Sequence, residues 1–337
     1  MACLYIDRKG VTLTIANKAL VVNDQYGKVT SVPLGLLDRI CIKGDIMLSA
    51  SVLGGLGEQD IAVLVLRGLT YKPTMLLPSI RQDAKRRVLQ ATLGSHKSFC
   101  LSFSKGIIQK KLEMQYATIL SYKDDLATID YGLGMTIEEH QKILIQIADS
   151  ASSAVLLGIE GNAARQYFKL IAQILPASLN FNGRNRRPPK DPFNVVLSLG
   201  YTLLHHEWVR HIYLMGLDPF IGFYHTVFFG RESLASDLLE PIRPIYDAWA
   251  IGLFKSGILR VEDFTMNGVA CKMGKAGRLR FYEAYEEWLA EQQCSFYKIK
   301  QWLFSAIREE AAINTKQSIF EESDNVFSQD SLKMIKV

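Results

Sequence analysis

The chain has 337 residues, 48% of them hydrophobic and 22% charged, with a formal net charge of +5. These values are ordinary for a globular protein with one large or two smaller domains, and the mild basic excess permits a nucleic-acid partner. Five widely separated cysteines argue against a disulfide framework or a structural zinc site. The sequence shows neither a signal peptide nor an apolar run long enough to cross a membrane, so we expect a cytoplasmic protein without a membrane partner.

The first part of the chain, residues 1–80, is predicted to form a small β-rich domain. Short β-branched runs such as VTLTI and ALVVN are separated by turn residues, and RICIK and IAVLVL are typical of more buried strands. Between these two, SASVLGGLGEQ predicts one short helix. Because no chemical motif occurs here, we expect a scaffold or dimerisation domain.

Residues 81–311 are predicted to form a larger all-α catalytic domain, so the expected fold class is α+β. The apolar residues of GIIQKKLEMQYATILSYKDD recur with a helical period, and further helices are expected around 193–215, 233–255, 276–291 and 295–311. The tail, residues 312–337, is polar and weakly patterned. It is predicted to be disordered, or to order only on a partner.

A glutamate lies in the most apolar stretch of the helical part, LLGIEGNAARQYFKL. At helical spacing, Glu160 shares a face with Leu156 and Tyr167. A carboxylate on such a face is costly to bury unless a positive charge compensates it. Gly158 and Gly161 flank it, although glycine disfavours a helix interior. They indicate either close helix packing or close approach of a ligand to the backbone.

Two later stretches offer partners for this glutamate. His225 lies in DPFIGFYHTVFFG, which is otherwise mostly apolar and aromatic, so by itself it is either a hydrogen-bonded core residue or a ligand. In ESLASDLLEPIRP, Asp237 and Glu240 share a helix face and Arg243 lies three residues further on, while Pro241 should kink or break the helix. By itself, this second stretch is explained by a solvated acidic face with a local ion pair.

Together, carboxylates and an imidazole from these three stretches would make a hard, oxygen-rich site. Such a ligand set suits Mn²⁺ or Mg²⁺ better than structural zinc, which tends to recruit cysteine. A divalent ion with open positions can polarise a phosphodiester and activate an attacking hydroxyl. The spacing does not establish that the stretches converge.

Basic residues lie in the same part of the chain. Arg165 follows the glutamate by about one helical turn, and the loop FNGRNRRPPKDPF holds four more cations, which are Arg184, Arg186, Arg187 and Lys190. Such a cluster suits a phosphate backbone, although a mobile, solvated loop is the alternative. Three tyrosines of this region can either stack on bases or pack in the core: Tyr167, Tyr201 and Tyr224.

Four ordered blocks of the helical part resemble a known family. They are GIEGNAARQYF, N-x-x-L-S-x-G-Y from Asn194 to Tyr201, LDPFIGFYH and SLASDLLEPIRP. In this order they resemble the signature blocks of the CRISPR-associated adaptation endonuclease–integrase, the universal spacer-acquisition nuclease of CRISPR systems. The resemblance covers most of the chain, and the long polar tail is the part that it does not explain.

The resemblance implies a metal-dependent nuclease and integrase acting on double-stranded DNA. By it, Glu160, His225 and Glu240 would be the metal ligands, Asp237 a nearby acid needed for activity, and Arg243 a DNA contact. It further implies a homodimer formed through the β-rich domain. Two such dimers would be bridged by a dimer of a small ferredoxin-like partner, and the resulting hetero-hexamer would join the 3′-OH ends of a protospacer to the CRISPR repeat.

Two rival functions remain open at this point. One is a non-catalytic DNA-binding scaffold of an adaptation complex, in which the acids and the histidine form a buried polar network. The other is a metallohydrolase of small phosphoesters, for which the basic loop would be superfluous.

Overall fold

The computed structural model of the chain describes residues 2–27, 29–66, 73–78, 83–127, 137–185, 188–225 and 228–314. Within these ranges a β-rich domain is followed by a helical domain, as the sequence predicts. None of the helices in these ranges has both the length and the apolarity that crossing a bilayer requires.

Two four-stranded sheets and one helix build the N-terminal domain. Its elements are β1 (Ala2–Ile6), β2 (Val11–Ala16), β3 (Ala19–Asn23), β4 (Val29–Pro33), β5 (Leu37–Ile42), β6 (Ile46–Leu48), α1 (Ala50–Glu58), β7 (Ala62–Val65) and β8 (Thr74–Leu76). The first sheet has the order β1-β5-β7-β8, with only β8 antiparallel to its neighbour. The second has the order β4-β3-β2-β6, in which β6 runs parallel to β2.

The second domain is mainly helical. Its elements are α2 (Ala84–Ser95), α3 (Lys97–Ser121), α4 (Lys123–Ala127), α5 (Ile137–Ala148), α6 (Ser153–Ile174), α7 (Pro192–Leu214), α8 (Ser233–Leu239), α9 (Arg243–Lys255), β9 (Phe264–Asn267), β10 (Ala270–Met273), α10 (Lys275–Glu291) and α11 (Gln293–Asn314). Helix α3 packs against both α6 and α9, and α7 packs against α8 and α9. These contacts bring the motif-bearing helices α6 and α9 onto one long helix, α3, while α8 packs against α7.

The first sheet separates two hydrophobic cores, because successive side chains of a strand point to opposite faces. Ile40 of β5 faces the second sheet, where it packs with Leu13 and Leu20. Its neighbour Cys41 belongs to the core of the helical domain, and Tyr5 of β1 packs against that same core. The β-rich domain is thus joined to the helical domain through a full sheet face.

Charged residues cross this domain interface. The guanidinium of Arg39 on β5 donates to the Glu286 carboxylate at 2.7 and 2.8 Å and lies 3.4 Å from Glu207 Oε2 on α7. Burial alone would raise the pKa of Glu207, but Arg39 and Arg210 outweigh it and hold that pKa well below its ordinary value. This buried ion network fixes the position of the sheet relative to α7 and α10.

The helical domain departs from the expected all-α description at one hairpin. Strands β9 and β10 pair antiparallel between α9 and α10, with Asn267 opposite Ala270. The tight turn is possible because Gly268 adopts a positive φ of 61°. The hairpin also holds the basic loop, since the Cys271 amide donates to the Pro189 carbonyl at 2.8 Å.

The predicted break at Pro241 separates α8 from α9. The last helix, α11, ends at Asn314 and so includes the first three residues of the predicted tail (312–314). The remainder of that tail, residues 315–337, lies outside the described residues, and so do Arg186 and Arg187 of the basic loop.

Candidate metal centre

Helix α6 carries Glu160 at the edge of its buried face. The helix begins after Ser152, whose hydroxyl accepts a hydrogen bond from the Val155 amide. Leu156 and Tyr167 on this face are fully buried, whereas the Glu160 side chain retains 15% exposure. The glutamate therefore lies where the core of the domain meets solvent.

A lysine compensates the charge of this glutamate. Lys111 of α3 places its Nζ 2.5 Å from Glu160 Oε1 and 2.6 Å from Glu240 Oε2. Burial disfavours the ammonium, but Glu240 and Glu160 outweigh it and raise the pKa of Lys111. One positive atom thus bridges carboxylates from two different helical segments.

Glu240 lies at the break between α8 and α9, where its side chain is only 5% exposed. Its second oxygen, Oε1, is 3.2 Å from Nε of Arg243 in the first turn of α9. Burial alone would raise the pKa of Glu240, but Arg243 and Lys111 lower it to about 2. The carboxylate is therefore ionised at neutral pH and flanked by two cations.

Asp237 organises the segment that carries His225. Its Oδ2 accepts hydrogen bonds from the amides of Phe223 at 2.7 Å and Tyr224 at 3.0 Å, and its Oδ1 accepts one from the His225 amide at 2.9 Å. The same Oδ1 lies 2.7 Å from His225 Nδ1. Because the carboxylate can only accept, Nδ1 carries the hydrogen, and Nε2 is the ring nitrogen available for a ligand.

A glycine permits this close packing of the segment on α8. A Cβ at Gly222 would lie 2.7 Å from the backbone carbon of Ser233 and 2.8 Å from Asp237 Oδ2. Next to the histidine, the Tyr224 hydroxyl donates to Glu160 Oε2. Burial, together with the charge of Glu160, raises the pKa of Tyr224. The segment is thereby tied to α8 through Asp237 and to α6 through Tyr224.

A second buried acid lies behind Arg243. Asp247 accepts hydrogen bonds from Tyr201 at 2.5 Å and from Tyr167 at 3.2 Å. Both tyrosines are buried, so they pack in the core and are not available for base stacking. The guanidinium of Arg243 lies over the Tyr201 ring, 4.6 Å from its centroid. The Tyr201 ring, itself hydrogen-bonded to Asp247, therefore holds the guanidinium of Arg243 in place.

The structure describes three of the five basic residues predicted on α6 and in the loop that precedes α7. Arg165 is exposed on α6, and Lys190 is exposed just before α7. Arg184 is held inward, since its guanidinium donates to Asn194 Oδ1 at 2.7 Å and to Ser198 Oγ at 3.2 Å. Arg184 thus serves to brace the loop against α7.

Two residues of this region were missed by the sequence interpretation, Lys111 and Asp247. The signal for the lysine is its position on α3, where it shares the inward face with Ile107, Ile108 and Gln115. A charged residue at such a position requires a buried partner of opposite charge. Asp247 offers the same kind of signal, between the buried residues Tyr246 and Ala250 of α9.

The donor atoms suit a divalent ion by their chemistry. Glu160 and Glu240 each direct one oxygen to a common cation position, and the His225 imidazole has its other nitrogen engaged by Asp237. In the described ranges, however, no group of three His, Cys, Asp or Glu side chains is arranged to hold a metal as it stands. The two carboxylates are arranged instead around the ammonium of Lys111.

Comparison with known proteins agrees with the motifs. Residues 4–287 match the family described as CRISPR associated protein Cas1. A CRISPR-associated endonuclease Cas1 of Thermodesulfovibrio yellowstonii is 37% identical over 298 residues, which cover 87% of this chain and 93% of the relative. The chain belongs to the Cas1 family of CRISPR-associated proteins.

Solved structures share the fold. A Cas1 protein from Thermotoga maritima superposes with a TM-score of 0.78 at 21% identity, over 91% of this chain and 96% of that one. A casposase bound to integration product superposes with a TM-score of 0.75 at 24% identity, over 85% of this chain and 82% of that one. A Cas6-RT-Cas1–Cas2 complex gives 0.72 at 24% identity, covering 84% of this chain and 32% of that chain.

Proposed function

We propose that the protein is a metal-dependent DNA endonuclease and integrase of CRISPR spacer acquisition. It would join the 3′-OH ends of protospacer DNA to the CRISPR repeat by transesterification, and it would cleave branched DNA at the same site. The observation that supports this proposal is the convergence of Glu160 and Glu240 on one cation position, beside a histidine that Asp237 orients.

Glu160, His225 and Glu240 would hold the metal, either Mg²⁺ or Mn²⁺. When bound, such an ion polarises the phosphodiester and neutralises charge that develops on its oxygens. Asp237 fixes the tautomer of His225, so that Nε2 is free to ligate. Arg243, held by Glu240 and Tyr201, would supply a fixed positive charge for the phosphate. This chemistry needs mainly alignment and charge neutralisation, so no nucleophilic triad is required.

DNA would approach along the exposed side of α6. A Cβ built at Gly158 or at Gly161 meets no atom within 4 Å, which excludes close packing within the described part of the chain as the reason for these glycines. They leave a shallow surface beside Glu160, with the exposed Arg165 on the same helix. A phosphate backbone could lie against this surface and reach the two carboxylates, with each ion contact adding salt-sensitive affinity.

The assembly that we propose contains the homodimer, formed through the β-rich domain, and a small ferredoxin-like partner in a hetero-hexamer. A structural neighbour described as a Cas6-RT-Cas1–Cas2 complex supports an adaptation partner, and a casposase bound to integration product supports DNA joining on this fold. Localisation in the cytoplasm, where CRISPR DNA resides, is part of the same proposal.

A non-catalytic DNA-binding scaffold is the second candidate. One observation favours it: the ammonium of Lys111 pairs with both carboxylates, and Arg243 pairs with Glu240. A titration with Mn²⁺ separates the two functions, because a scaffold would bind no metal at these residues and would nick no branched DNA.

The experiment that tests the proposed function is an integration assay. A short duplex with 3′-OH ends is mixed with a repeat-containing plasmid, with and without the partner protein, in Mn²⁺ or in EDTA. The proposal predicts joining of the duplex to the plasmid in Mn²⁺ and none in EDTA. Equal product in both conditions, or none in either, would contradict it.

A further inference from the structure

The ammonium of Lys111 lies at the point where the two acidic side chains converge. Its Nζ contacts the Glu160 and Glu240 oxygens at 2.5 and 2.6 Å, and its side chain is only 9% exposed. A Mg²⁺ ion would bind the same oxygens at about 2.0–2.1 Å. An ammonium and a divalent ion placed side by side on these oxygens would repel each other strongly. Loading of a metal should therefore favour departure of the lysine.

We propose that Lys111 is a built-in counter-cation that holds the two carboxylates in place before metal binds and is displaced when metal binds. This inference rests on the proposed metal site. Without a cation, Glu240 would be a buried carboxylate compensated by Arg243 alone, which is costly. The flexible four-carbon stem of lysine allows the ammonium to move while α3 remains in place.

The acceptor that we assign to the displaced ammonium is a buried polar atom on the same helix. Gln115 lies one turn after Lys111 on α3, and its side chain is buried. Its Oε1 accepts no hydrogen bond from the residues that the structure describes. Lys111 and Gln115 are four residues apart, so they share one face of α3. A buried acceptor without a donor is unusual, and it is explained if the ammonium of Lys111 donates to it in the metal-loaded state.

The two positions of the lysine make metal affinity a balance between competing cations. Removal of the lysine charge should therefore tighten metal binding and destabilise the metal-free protein. Removal of the Gln115 acceptor should weaken metal binding, but only while Lys111 is present. A lysine that stays on both carboxylates as a purely structural ion pair predicts the opposite, because its loss would disorder the ligands and weaken metal binding.

The test is calorimetric titration of MnCl₂ into full-length, EDTA-stripped protein, with thermal unfolding of each sample before and after metal addition. The variants are Lys111→Met, Lys111→Gln, Gln115→Met and the double variant Lys111→Met/Gln115→Met. Lys110→Met is the matched control, because that ammonium lies over the Trp302 ring, 5.3 Å from its centroid. Glu160→Gln reports loss of the metal site itself.

We expect the two Lys111 variants to bind Mn²⁺ about tenfold more tightly or better, to melt lower than wild type without metal and to recover with it. Lys110→Met should match wild type. Gln115→Met should bind Mn²⁺ more weakly alone and have no effect in the Lys111→Met background. Equal or weaker binding by both Lys111 variants, with intact binding by wild type, would overturn this inference alone. Absence of Mn²⁺ binding by wild type would overturn the proposed function as well.

Discussion

One carboxylate oxygen of Asp237 makes two contacts with His225. It accepts a hydrogen bond from the backbone amide of His225 at 2.9 Å and lies 2.7 Å from Nδ1 of the ring. The aspartate is fully buried, so neither contact is shared with solvent. The backbone position of the histidine and its ring tautomer are therefore set by the same acid.

Substitution of that acid should weaken metal binding without removing a ligand. Asp237→Asn presents an amide nitrogen where backbone N–H groups now donate, so the segment should shift and His225 lose its orientation. We expect Mn²⁺ affinity, measured by calorimetry, to fall about 10–100-fold. Asp218→Asn is the matched control, because Asp218 caps the Phe220 amide in the same segment. Wild-type affinity in a folded Asp237→Asn protein would refute the orienting role.

The glycines of α6 should respond differently from the glycine of α7. Gly158→Ala and Gly161→Ala add a methyl group into open space and should each raise stability by about 0.5–1 kcal/mol in the free protein. Gly200→Ala brings its Cβ to 2.0 Å from the Tyr246 ring and should destabilise by about 1–3 kcal/mol or more. Urea denaturation of the free protein measures all three.

The same two α6 variants test the approach of DNA. If the backbone lies against this surface, each added methyl group should weaken duplex binding, measured by fluorescence anisotropy, although the protein is more stable. Unchanged DNA affinity in the double variant Gly158→Ala/Gly161→Ala would place the DNA elsewhere.

The interface between the two domains should depend on Arg39. Arg39→Met leaves the buried Glu207 with Arg210 as its remaining cation and removes the contact with Glu286. Loss of one partner from a buried ion network should cost about 3–5 kcal/mol in the free energy of unfolding. Arg280→Met is the control, because that half-exposed side chain pairs with Asp263 near the surface and should cost no more than about 1 kcal/mol. Equal effects on the urea midpoint would contradict the role of the interface.

Asp247 should make stability depend on pH. Burial raises the pKa of Asp247 from 3.8 to about 7, although the hydrogen bonds from Tyr201 and Tyr167 act to lower that pKa. At pH values between 3.8 and about 7, folding is therefore accompanied by the uptake of a proton on Asp247. The free energy of unfolding should fall as pH rises through this window, by up to about 1.4 kcal/mol per pH unit, and level off above it.

Asp247→Asn should remove this slope, which urea denaturation between about pH 5 and pH 8 would measure. Asp263→Asn is the control, because burial would raise the pKa of Asp263 but the hydrogen bond from Arg280 outweighs it and lowers that pKa. The stabilisation that ionised Asp263 contributes is lost only when the pH falls below the ordinary pKa of an aspartate. The Asp263→Asn variant should therefore keep the wild-type slope of unfolding free energy against pH. Parallel curves for wild type and Asp247→Asn would show that this acid is ionised throughout.

Much of the fold follows from local patterns in the sequence. The apolar period predicts α7 and α10 to within a few residues, and Pro241 predicts the break that places Glu240 between two helices. The hairpin of β9 and β10 was missed because its strands have only four residues each. Gly268, at the first position of the two-residue loop, was the available signal for its turn.

The candidate site was only partly predictable, for a physical reason. Residue type and spacing identify Glu160 and Glu240 as acids in apolar surroundings, but only packing on α3 brings them to one point. Lys111 was missed because a lysine within an amphipathic helix is usually solvated. Its inward position becomes meaningful once the buried partners are known.

We expect Glu160 and His225 to serve catalysis rather than DNA binding. Strand transfer of a 3′-OH duplex into a repeat-containing plasmid in Mn²⁺ tests it most directly, with Glu160→Ala, His225→Ala and wild type compared at equal DNA occupancy. Each substitution should abolish strand transfer, while duplex affinity should stay largely intact. Full strand transfer by either variant would contradict it.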